Sequence, residues 1–183
     1  MWVDQAATLP ARRVVVVDES STHLDMMPRY ARAPRGQRAF AQQRRNYGQN
    51  ETLLAGLSLT GMQAPMVVAG SVTTAVFEAY VRQVLLPTLQ PGDIVIMDNL
   101  IAHKSKSVRR LLAAHGCRLL FLPTYSPDLS PIEKAFAKLK QYLRRVRAQT
   151  LDALIDAIAA ALNLISPTDA IGYFANCGFL NLD

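Results

Sequence analysis

An α/β fold, a β-sheet covered by helices, is what this sequence predicts, and three observations carry the prediction. Short aliphatic or β-branched runs, "RRVVVVDES", "GDIVIMDN" and "CRLLFLP", read as buried strands. Two strand-like halves around Thr60-Gly61 read as a hairpin. Stretches with apolar residues at helical spacing then alternate with the later strands. The resulting order is strand, hairpin, helix, strand, helix, strand, helix, helix, which suits a sheet with helices packed on it.

The first strand is expected from about Arg13 to Asp18. The basic stretch "PRYARAPRGQRAF" holds prolines and a glycine, and predicts a loop with an edge strand. Leu53 to Leu59 and Ala64 to Ala69 are the arms of the hairpin. Val76 to Leu89 carries a helical stripe of Val76, Phe77, Val81, Val84 and Leu85, closed by "QPG". The second buried strand, Ile94 to Met97, ends in Asp98. In "HKSKSVRRLLAAHGC", Val108, Leu111, Leu112 and His115 share one helix face, and Gly116 stands where a left-handed cap belongs. After the third strand, a helix from Pro131 has Ile132, Phe136, Leu139, Leu143 and Val146 as its stripe. Thr150 caps a further helix that buries Leu151, Leu154, Ile155, Ile158, Leu162 and Ile165. "SPTDAIGYFANCGFL" predicts a short closing helix.

Composition narrows the function. The 183 residues are one domain's worth, half of them apolar and 19% charged, which disfavours disorder. No run of eighteen uncharged apolar residues is present, and the N-terminus lacks the apolar block of a signal peptide. Cys117 and Cys177 lie apart from any metal-ligand spacing and suit a reducing compartment, so a cytoplasmic location is expected. The net charge of +6 favours polyanionic partners. Two acid-free basic clusters concentrate it. One is Arg29, Arg32, Arg35, Arg38, Arg44 and Arg45; the other is Lys134, Lys138, Lys140, Arg144, Arg145 and Arg147. A single basic helix is ordinarily a solvated face, but two clusters in one domain shift the balance toward nucleic acid.

Asp18 and Asp98 share a context, each ending an aliphatic run, "VVVVD" and "IVIMD". If those strands are neighbours, both carboxylates emerge at one sheet edge and make a hard, oxygen-rich site suited to Mg²⁺ or Mn²⁺. Taken singly, each acid is as well explained as a turn cap or a solvated strand end. Glu19, beside Asp18, points to the opposite side if the strand continues. Asn99 could support the site by hydrogen bonding or serve a turn. His103, at a helix entrance, could contact a phosphate or steady bound water, although such histidines are more often caps or surface groups. Glu133 fits a capping box, Ser130-Pro131-Ile132-Glu133, and local chemistry alone favours that role. Asp128 suits a turn. Walker, GxGxxG, HExxH and GxSxG patterns are absent.

Three strings taken together, "VVVVDES", "IVIMDNLIAHKS" and "LFLPTYSPDLSPIEKAFAKLK", with thirty-four residues between Asp98 and Glu133, resemble the catalytic domain of mariner-superfamily transposases in their bacterial insertion-sequence branch, the DDE superfamily endonucleases. The resemblance runs from about Arg13 to Gly178. It implies a ribonuclease-H-like fold, a mixed five-stranded sheet flanked by helices. It implies that Asp18, Asp98 and Glu133 are the catalytic, metal-holding acids, with two Mg²⁺ or Mn²⁺ ions and with Asn99 and His103 in support. The implied activity is DNA strand cleavage and strand transfer during transposition. Arg35, Arg38, Lys134, Lys138 and Lys140 are the expected DNA-binding residues.

The implied partners are transposon-end and target DNA, with a homodimer in the active complex. Ser130 departs from the family's asparagine, which also caps helices. The family carries an N-terminal helix-turn-helix region, for which there is no room before Arg13. The expectation is therefore one catalytic domain over residues 1–183, with its core at about 13–166, in a bacterial, nucleoid-associated protein. It would be either the partner of a helix-turn-helix product from an overlapping frame or a truncated relic. A catalytically inactive DNA-binding remnant is the alternative function, and a general ribonuclease-H-like nuclease or resolvase a third.

Overall fold

A computed structural model describes residues 2–24, 26–28, 30–40 and 48–181. Five strands form one sheet in the order β3-β2-β1-β4-β5. Strand β1 is Val14–Thr22, β2 Glu51–Ser58, β3 Gly61–Ala69, β4 Ile94–Met97 and β5 Arg118–Phe121. Strands β1, β2 and β3 pair antiparallel, while β4 pairs parallel with both β1 and β5. The helices are α1 Trp2–Thr8, α2 Thr74–Tyr80, α3 Lys106–Ala114, α4 Pro131–Val146, α5 Leu151–Leu162 and α6 Pro167–Asn176.

Side-chain alternation along β1 and β4 divides the apolar residues between the two faces of the sheet. Val14, Val16, Ile94 and Ile96 join one core with α1, α4, α5 and α6. Val15, Val17, Val95 and Met97 join the other with Phe77, Tyr80, Val108 and Leu112 from α2 and α3. A continuous aliphatic run is what a strand covered on both faces requires.

The structure departs from the expected elements in several places. Strand β1 does not stop at Asp18 but runs to Thr22, because β2 continues to pair with it after the β4 ladder ends at Val17 and Met97. Strand β5 is a sheet edge and only partly buried. The stripe from Val76 onward is not one helix. It passes from α2 into a π turn over Val81–Leu85 and a 3₁₀ turn over Leu86–Thr88, where Pro87 has no amide to continue the ladder. The described residues of 26–40 contain no strand, and Arg29, Arg44 and Arg45 lie outside the described residues. Val146, Leu151 and Ile155 are exposed rather than buried. Helix α1 had no counterpart in the sequence reading. The hairpin, the Thr150 cap and the left-handed Gly116, at φ 77°, are as expected.

Candidate active site

The ladder between β1 and β4 ends at Val17 and Met97, so Asp18 and Asp98 stand one step beyond it, side by side on adjacent parallel strands. By alternation Asp18 shares the face of Val14 and Val16, against which α4 packs. Glu133 lies in the first turn of α4. All three acids line one cleft of about 340 Å³, together with Asn99, Leu100, Ser130 and the loop from Leu122 to Pro127.

Electrostatics set the three apart. Burial pushes the Asp18 carboxyl up to about 7; the Glu19 amide works against this, and the nearby charges of Asp98, Glu19 and Glu133 add to it. Asp98 is partly buried, which opposes ionisation. Hydrogen bonds from His103 and the Leu100 amide, with the positive charge of His103 and Lys104, outweigh that and hold its carboxyl below the usual range. One neighbour is thus kept charged while the other is reluctant to ionise without a counter-charge.

His103 is neither a surface group nor a helix cap. It has no exposed surface, and its ring lies 4.3 Å from that of Phe77. Nδ1 is 2.5 Å from Asp98 Oδ1 and Nε2 is 2.9 Å from Glu19 Oε2. Burial alone would depress its pKa, but the two carboxylates overcome this and raise it to about 9, so the ring is an imidazolium donating from both nitrogens at neutral pH. Glu19 does face away from Asp18, as alternation predicts, and from that side it holds the histidine that holds Asp98. Sequence reading missed this role for Glu19, because its partner lies 84 residues away. Asn99 donates through Nδ2 to the Leu122 carbonyl, tying the turn after β4 to the loop after β5.

The capping box expected at Ser130 is absent. Ser130 is the N-cap residue of α4, but its side chain makes no capping hydrogen bond. Its Oγ is buried without a partner among the described residues. Glu133 is exposed on the cleft wall. A complete capping box exists instead at Ser166 and Asp169 of α6. Asp128 lies in the 3₁₀ turn Pro127–Leu129, where its residue type suggested a turn.

The basic residues are distributed unevenly. Arg35 and Arg38 are exposed on the segment before residue 41. Lys138 is committed to Asp169, with Nζ 2.8 Å from Oδ2. Lys140 and Arg144 join Glu133 around a second hollow on α4. Arg144 and Arg145 then border a further one with Tyr30 and Gln141. Glu133 is therefore the hinge between the acid cleft and a basic face of the same helix. Lys134 is half-buried on α4.

The donor set suits a hard divalent cation. It consists of carboxylate oxygens, one of which ionises poorly until a positive charge arrives, beside a buried hydroxyl without a partner. Among the described residues, no three His, Cys, Asp or Glu side chains are closed into a ready metal cage. The two aspartates are neighbours, with Glu133 across an open cleft.

A mixed five-stranded sheet with antiparallel strands first, helices on both faces and acids at the ends of its central strands defines a ribonuclease-H-like fold. The pre-cleavage Mos1 transpososome is similar to the chain with a TM-score of 0.80 at 17% identity, covering 97% of this chain and 56% of that one. The Mos1 mariner paired end complex with Mn gives 0.74 at 19% identity, covering 92% and 53%. The transposable element Tc1 transposase of Caenorhabditis elegans is 32% identical over 90 residues, 49% of this chain and 33% of the relative. The chain thus spans about a third of that relative and about half of these Mos1 chains. The model of the DDE superfamily endonuclease family matches residues 13–155, and the chain belongs to that family.

Proposed function

We propose that the chain is the catalytic domain of a transposase, cutting DNA strands and joining the freed ends to a target in a reaction that needs divalent metal. The observation that carries this reading is the meeting of Asp18, Asp98 and Glu133, from three separate segments, in one cleft of a DDE-family fold. The Mos1 relative solved with Mn supports a divalent ion, and the transpososome supports DNA as partner.

Asp18 and Asp98 would hold Mg²⁺ or Mn²⁺, two ions in our reading, with Glu133 closing the site from α4. Bound there, such ions supply an activated water and offset charge on the scissile phosphate. The chain's own residues do the positioning. His103 fixes the Asp98 carboxylate from behind, and Glu19 fixes His103. Asn99 clamps the two loops of the cleft. Lys140, Arg144 and Arg145 offer phosphate contacts leading away along α4, with Lys134, Arg35 and Arg38 as further contacts.

Incubating the 183-residue chain with supercoiled plasmid and Mg²⁺ or Mn²⁺ tests the reading. Nicking that disappears with chelator and in Asp98→Asn supports it. DNA binding without nicking in either metal, even with a helix-turn-helix partner supplied, points to the inactive DNA-binding alternative.

A further inference from the structure

A third basic surface lies outside the two clusters noted in the sequence. From Asn99 to Pro127 the chain has no acid, and Lys104, Lys106, Arg109 and Arg110 fall together at the start of α3. All four are exposed, and none has a carboxylate partner among the described residues. Lys106 and Arg110 stand about 6 Å apart along the helix axis, roughly one turn. Glu78, whose carboxylate accepts from the Ser105 hydroxyl, offsets one of these charges and leaves a clear positive excess.

Local physics argues against cations in that place. The start of a helix is the positive pole of its dipole, so acids strengthen it and cations weaken it. Helices α4, α5 and α6 follow the rule, with Glu133, Asp152 and Asp169 in their first turns. Helix α3 breaks it, with no acid in its first turn and Lys106 directly after the Ser105 cap. A merely solvated face has no use for that cost, whereas a surface that meets negative charge does. Arg109 is also held in place, its guanidinium 5.0 Å over the Phe121 ring.

The patch begins beside the acids. Lys104 follows His103, whose ring holds Asp98, and Phe121 is the last residue of β5, level with Met97 at the end of β4. Helix α3 packs on the sheet face of Val15, Val17, Val95 and Met97, and α4 on the opposite face. A DNA strand with one phosphate at the acids continues in both directions, and the basic residues of α4 can follow only one of them. We propose that the start of α3 is a second DNA-binding surface, whose cations hold backbone phosphates of the duplex on the side of the cleft away from α4. The proposal rests on the phosphodiester reading above and adds where the DNA continues. Contacts of this kind position a duplex without reading its sequence.

The test is fluorescence anisotropy of a labelled duplex titrated with the full chain at several salt concentrations, in Ca²⁺ so that binding is read without cleavage. Each phosphate contact contributes about 0.9 to the slope of log affinity against log salt. Lys106→Gln combined with Arg110→Gln should therefore flatten the slope by about 1.8, so that its affinity deficit shrinks about tenfold between roughly 50 and 200 mM salt. Lys106→Arg combined with Arg110→Lys should keep the wild-type slope. Arg12→Gln combined with Arg118→Gln removes the same charge from exposed positions at the other end of the strands, and should also keep it. Circular dichroism confirms that these exposed substitutions leave the fold intact. A wild-type slope in the α3 glutamine pair, or an equal loss in both glutamine pairs, would overturn the proposal. A chain that binds no duplex would overturn it together with the function above. A flattened slope in a chain that never cleaves in Mg²⁺ would instead sink the enzymatic reading and leave this surface standing.

Discussion

His103 holds Asp98 in place from within the protein, with Glu19 on its other nitrogen and Phe77 against its ring. Replacing it with an apolar residue of similar size, His103→Leu, leaves two carboxylates facing one another with no donor between them. The cost of removing one member of a buried ionic group is about 3–5 kcal/mol. Because Asp98 and Glu19 keep some exposure, roughly 2–3 kcal/mol is expected here, read as a lower urea midpoint in Mg²⁺-free buffer. An unchanged midpoint would mean that the histidine is not a structural tie. None of this was legible in the sequence. "DNLIAHKS" shows a histidine five residues after an aspartate, but whether it faces solvent or core depends on Phe77 and Glu19, which only the folded sheet brings near.

At the scale of elements, two serine–proline helix starts that look alike in sequence behave differently. Ser166 accepts from the Asp169 amide at 3.1 Å, and Asp169 in turn accepts from the Ser166 amide at 2.9 Å. Ser130 does neither. Its amide donates to the Pro127 carbonyl, and the Glu133 amide donates to the Ser130 carbonyl rather than to its hydroxyl. Glu133, which the local pattern assigns to the cap, lines the cleft. Ser166→Ala should cost about 1 kcal/mol in thermal or urea unfolding. Ser130→Ala should be neutral, or stabilising by up to about 1 kcal/mol, since it removes a buried hydroxyl with no partner. Equal losses at both would show that Ser130 caps α4 after all.

The α6 start also gives a pH signature. Hydrogen bonds from Lys138 and from the Ser166 hydroxyl and amide pull the Asp169 carboxyl down to about 2, from 3.8 for an unperturbed group. A depressed carboxylate contributes stability above its unfolded value and loses it as pH falls toward the folded one. The Tm difference between wild type and Asp169→Asn should therefore be complete at pH 5 and vanish near pH 2. A difference independent of pH over that window would contradict the ion pair. Elements themselves were largely readable, since β-branched runs and 3.6-residue stripes are local signals. Their ends were less so. Strand β1 gains Glu19 to Thr22 only because β2 is there to pair with them, and the helix after Thr74 passes into a π turn at Val81 although its apolar period continues.

For the whole molecule, the sheet order brings positions 18, 98 and 133 to one cleft, although 79 and 34 residues separate them along the chain. The aspartates could be suspected from the matching ends of two aliphatic runs. Glu133 could not be separated from a helix cap by any local argument, and its place in the set came from the surrounding string and its spacing from Asp98. The half-buried Asp18, with its carboxyl raised to about 7, makes the cleft's need for positive charge a property of the fold rather than of one residue.

That need can be read directly by calorimetric titration of the chain with Mn²⁺ at about pH 6, below the Asp18 value of about 7 and without DNA. The account predicts measurable binding with proton release as Asp18 ionises, lost in Asp18→Asn and in Asp98→Asn and weakened about tenfold or more in Glu133→Gln, while all three variants keep the wild-type circular dichroism spectrum. Mn²⁺ binding of equal strength in the wild type and in all three variants would contradict it.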